Sequence, residues 1–97
     1  MRSKRFSIAY LRVDGVDVRL KYADLLVAQQ DGHQDIDWEC VLMPIDPTQM
    51  EQGAYSLEVD TIDARVLSGD AVLVRSVQGT HVLRGAGPLE GLDPEDL

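Results

Sequence analysis

Oxygen ligands at alternate positions are one way for a chain to hold calcium, and Asp31-Gly32-His33-Gln34-Asp35-Ile36-Asp37 begins in that manner. A calcium loop also needs its glycine at the sharp central turn and a bidentate acid near its end. Here the glycine is in second place and no acid stands at the required distance. On a strand, His33, Asp35, Asp37 and Glu39 fall on one face, which is the pattern of a solvated face. Ser68 or Ser76, with Asp70 and His81, could supply a nucleophile, an orienting acid and a base. A nucleophile elbow needs a glycine two residues before the serine. Leu67-Ser68-Gly69-Asp70 lacks it, and Ser-Gly-Asp is ordinary turn chemistry.

Seventeen acids guarantee that some carboxylates are neighbours. Glu58 and Asp60 share an outward parity and Asp63 follows, but acid/base work needs one carboxyl whose pKa burial has raised. Asp24 is the acid embedded in an apolar run, 22–28, and burial there would call for a partner such as Arg75 or Arg84. A bulge that turns Asp24 outward removes that need. Tyr22, Trp38 and Tyr55 have the apolar parity of their segments and could line a cavity at a barrel mouth, although small barrels fill their interior with side chains. Gly85-Ala86-Gly87-Pro88 has close glycines but no following helix, so it lacks the geometry of a phosphate loop. Cys40 is the one cysteine and sits in an apolar run, where a small buried hydrophobe is expected; no Cys/His spacing implies zinc. No metal or cofactor is expected.

The elements that would carry these residues are short strands. Asp14-Gly15, Asp31-Gly32, Ser68-Gly69 and Gln78-Gly79 each separate β-rich runs. Asp14-Gly15 suits a two-residue type I′ hairpin. After it Val16, Val18, Leu20 and Tyr22 alternate with Asp17, Arg19 and Lys21. The parity then breaks, and a bulge near 22–24 would turn Ala23, Leu25 and Val27 inward. Further strands are expected from Ile36, Tyr55, Asp70 and His81, with Ile62, Ala64 and Val66 continuing the Tyr55 strand in a shifted phase. At most one helical turn is expected, near 47–52, with Asp46 as cap. The expectation is an all-β fold: a small antiparallel meander of six to seven strands, closed as a barrel or a two-layer sandwich. One domain spans 6–92, between a basic frayed start at 1–5 and an acidic tail at 93–97.

The chain has a formal net charge of -8, and its one basic cluster is Arg2, Lys4 and Arg5. Nucleic acid is therefore not an expected partner. No run is apolar enough for a membrane span or a signal peptide, which leaves a cytoplasmic protein as the default expectation.

Three stretches, 25–28, 41–43 and 72–74, are apolar on both strand faces. A sheet with one wet face should alternate. If the stretches adjoin, Leu26, Val41, Met43, Val72 and Val74 form an outward apolar patch, which is the mark of an interaction surface. The expected function is a non-enzymatic protein-interaction or assembly domain that self-associates or meets a protein partner. The alternative is a small-molecule-binding barrel, with or without catalysis, whose pocket is lined by Tyr22, Asp24, Trp38 and Tyr55.

Overall fold

The computed structural model describes residues 1–46 and 48–97. Seven strands follow one another: β1 (Arg2–Val13), β2 (Val16–Val18), β3 (Leu20–Gln29), β4 (Ile36–Pro44), β5 (Ala54–Thr61), β6 (Val66–Val77) and β7 (Thr80–Gly85). They form one antiparallel sheet in the order β2-β1-β3-β4-β7-β6-β5, and β5 returns to β1. Six strands thus close a barrel and β2 is an extra strand beside β1. The all-β expectation holds, as a barrel and not a sandwich.

Closure depends on β1 bending. Residues 2–7 of β1 pair with β3, while Ile8 to Val13 pair with β5. The register slips by one between Ile8 and Tyr10, so Phe6, Ile8 and Leu11 all point inward although their spacing is not uniform. The Asp14-Gly15 turn has positive φ at both residues, as a type I′ turn requires. It is tied to β5 by Asp14, whose Oδ1 accepts from the Ser56 amide at 2.7 Å. Ala23, Leu25 and Val27 are inward as expected, and with Trp38, Cys40, Leu42, Leu57, Val59, Leu67, Leu73 and Leu83 they fill the barrel.

Several boundaries differ from the sequence reading. The register break precedes Tyr22, between Leu20 and Tyr22, so Tyr22 is outward, not inward. Ser68-Gly69 is not a turn but lies within β6, paired with Glu58 and Leu57. The actual turn follows Thr61, whose amide bonds to the Arg65 carbonyl, and Ala64 there takes a positive φ. Gly69 is needed in the strand because the Trp38 ring covers its Cα; an added Cβ would lie 2.7 Å from Cζ2 of the ring. Residues 48–52 form no helical turn, and Pro47 lies outside the described residues.

The two ends are also not loose. Arg2, Ser3, Lys4 and Arg5 pair with Gln29, Ala28, Val27 and Leu26, so the start is a strand and not a frayed terminus. The tail is docked: Leu92 and Leu97 pack on the core, Asp93 caps the 3-10 turn Pro94–Asp96, and Arg65 pairs with Asp96. Leu92 and Leu97 thus anchor the segment expected as an acidic tail at 93–97. No helix among the described residues is long and apolar enough to cross a membrane.

Candidate functional site

The outer face of β3, β4, β7 and β6 brings the two-faced stretches side by side. One row across the strands runs Arg5, Leu26, Glu39, Arg84, Val72. The next runs Ser7, Asp24, Val41, Val82, Arg75. Tyr22 and Met43 are paired beyond them. Period-two geometry, with the slip between Leu73 and Arg75 on β6, puts all of these on the side opposite Leu25, Cys40, Leu83 and Leu73. Val74 is the extra residue where the β6–β7 register shifts, and it is exposed beside them. The five residues expected as a patch, Leu26, Val41, Met43, Val72 and Val74, therefore share this face.

At its centre is an open groove of about 670 Å³, lined by Leu26, Glu39, Val41, Arg75, Val77, Thr80 and Val82. Val82 is 6% exposed although its side chain points away from the barrel core, because neighbours on the same face cover it. Val77 and Val82 were not singled out in the sequence; the consecutive apolar pair Val82-Leu83 was the available signal. The charges on the face are Arg5, Arg75 and Arg84 against Asp24, Asp37 and Glu39, and among the described residues none of these six makes an ion pair. Asp24 is half-buried between Ser7 and Val41, turned outward by the register break, and neither Arg75 nor Arg84 pairs with it. Beneath the face, burial first, and then the Asp24 and Glu39 carboxylates, push the Cys40 thiol up from 9.0 to about 12. That thiol is a core group and not a nucleophile.

The alternative pocket is not assembled. Trp38 is buried over Gly69 and Gly85, with its indole N–H donating to the Gly87 carbonyl at 2.9 Å. Tyr22 and Asp24 are on the outer face, and Tyr22 has its hydroxyl 3.4 Å from that of Thr80. Tyr55 lines a separate recess with Val13, Val18, Leu42 and Met50, and donates to the Glu51 carbonyl at 2.5 Å. The barrel interior where Tyr22, Asp24, Trp38 and Tyr55 were to converge is occupied by the core.

Ser76 and His81 do meet, with Ser76 Oγ 2.7 Å from His81 Nδ1. The third partner is the Thr48 carbonyl, 2.9 Å from Nε2, and not Asp70. A carbonyl only accepts, so Nε2 carries the proton and Nδ1 accepts from the serine hydroxyl. The trio fastens the β4–β5 loop to the barrel, giving buried His81 both of its bonds. Ser68 and Asp70 lie on β6 opposite Glu58 and Ser56, away from the His81 pairing. Among the described residues no three His, Cys, Asp or Glu side chains gather to hold a metal ion. Comparison of the chain with protein-family models, curated proteins and solved structures gives no match.

Proposed function

We propose that this domain is a non-enzymatic assembly module that forms a twofold homodimer through the outer face of β3, β4, β7 and β6. The observation that carries the reading is the groove lined by Leu26, Val41, Val77 and Val82, with exposed Val72 and Val74 beside it on β6, framed by charges that make no ion pair among the described residues. The balance of charge favours a second copy as the occupant. Two chains of charge -8 repel one another, but on this face the three arginines are balanced by three carboxylates, Asp24, Asp37 and Glu39. In a twofold contact each arginine of one copy can meet a carboxylate of the other around an apolar centre. The filled barrel also supports assembly over ligand storage. A cytoplasmic setting goes with this reading, in keeping with a lone reduced thiol.

Light scattering on a size-exclusion column, or sedimentation velocity, tests it. At concentrations on the order of tens of micromolar the wild-type chain is expected to have dimer mass. Leu26→Asp and Val41→Asp are expected to weaken the dimer roughly 30-fold or more while keeping a cooperative thermal transition, since both side chains are outward. Leu25→Asp, one residue from Leu26 but wholly buried, is expected to unfold the chain. A wild-type monomer throughout that concentration range would sink the proposal.

A further inference from the structure

The barrel is split at one end. β4 pairs with β3 along Ile36–Pro44, but with β7 only from Glu39 to Leu42. Beyond that point the chain leaving β7 turns away: Ala86 donates to the Asp70 carbonyl on β6 at 2.8 Å, and Glu90 exchanges backbone bonds with Ser68. Among the described residues no strand pairs with 36–38 on that side, and alternate residues of a strand edge turn their N–H and C=O outward, here toward a cleft. The cleft has a volume of about 570 Å³, with Gln34, Asp35, Ile36 and Asp37 on one wall and Gly85, Gly87, Pro88 and Leu89 on the other. Trp38 spans from β4 to the second wall through its bond to the Gly87 carbonyl. Asp35 and Asp37 are exposed and make no ion pair among the described residues.

We propose that this edge of β4 takes up an extended basic peptide segment of a partner protein as an added strand. An open edge supplies main-chain hydrogen bonds to any extended segment, and the side chains beside it choose among them. Here the choice falls on Lys and Arg, because Asp35 and Asp37 stand at the edge. Ile36, Pro88 and Leu89 offer apolar contact to the alternate side chains. This docking edge is distinct from the groove assigned to the homodimer, so either proposal can fail alone.

The test uses the full chain and short synthetic peptides. A peptide alternating lysine and valine is expected to change the fluorescence of Trp38, the one tryptophan, saturably. It is also expected to shift backbone amide signals at 35–38 and 85–87. A peptide of the same charge with prolines in place of valines, and one alternating glutamate and valine, are expected not to bind, the first because it cannot complete a ladder. Asp35→Lys with Asp37→Lys is expected to weaken the lysine–valine peptide more than about tenfold with an unchanged melting temperature. Equal binding of the proline peptide would mean charge attraction without strand addition and would overturn the proposal. So would shifts confined to the groove around Leu26 and Val82, or no saturable binding of the lysine–valine peptide.

Discussion

Gly85→Ala is expected to lower stability by about 3 kcal/mol, although it adds a single methyl group. The methyl carbon would sit 2.6 Å from Cδ1 of Trp38, with Nε1 and Cε2 nearer still. The ring cannot give way cheaply. It is 3% exposed, it lies against Gly69 as well, and its N–H is held by the Gly87 carbonyl. Moving it trades steric overlap for a void and a strained or broken buried hydrogen bond. For a domain this size the loss corresponds to a melting temperature roughly 12–24 °C lower. Gly87→Ala, where the added carbon meets nothing within 4 Å, is expected to stay within about 0.5 kcal/mol of wild type. Thermal unfolding of a double-mutant cycle separates cause from coincidence. With Trp38→Leu in the background the cost of Gly85→Ala should fall below about 1 kcal/mol, and an undiminished cost would refute the clash.

The second large effect is alkaline. Cys40 is neutral in the folded chain until about pH 12, whereas an unfolded thiol ionises near 9.0. Between those values the unfolded state has released a proton that the folded state retains, so stability falls as pH rises. The contribution is fully present below pH 9 and declines by about 1.4 kcal/mol per pH unit above it, approaching about 4 kcal/mol by pH 12. Denaturant titrations at about pH 8 and about pH 10.5 should therefore differ by about 2 kcal/mol more for wild type than for Cys40→Ala. If both proteins lose the same amount, Cys40 is not the group responsible. A thiol reagent at neutral pH is expected to leave native Cys40 unmodified and to label it on unfolding.

Parity along the chain carried most of the fold. The Asp14-Gly15 hairpin, the outward acids of β4 and the inward set Ala23, Leu25 and Val27 were legible because period two and turn residues are local properties. What was not legible depends on contacts far away in sequence. Gly69 has turn chemistry, yet it serves Trp38, which approaches from another strand. Tyr22 has the parity of Leu20 but lies beyond a one-residue slip that β4 imposes. The N-terminal bases read as a solvated end because nothing local shows that β3 is waiting to pair with them. The apolar stretches were visible as an anomaly. That they adjoin follows only from β7 lying between β4 and β6 and from Val82 joining them.

The two long-range seams also bear on how the protein is made. Ile8 meets Thr61 and Glu39 meets Arg84, while every other pairing joins strands near in sequence. The barrel is therefore two local meanders, β1 to β4 and β5 to β7, clasped late at a considerable cost in chain entropy. On the ribosome the first meander emerges alone, with the edges of β1 and β4 that will later be sealed still bare. A nascent sheet with two free edges is the form in which β-proteins misassemble with their neighbours. Arg12 on β1 and Glu39 on β4 stand on those edges, and charges so placed suit the role of gatekeepers during synthesis, well before they frame any surface of the finished barrel.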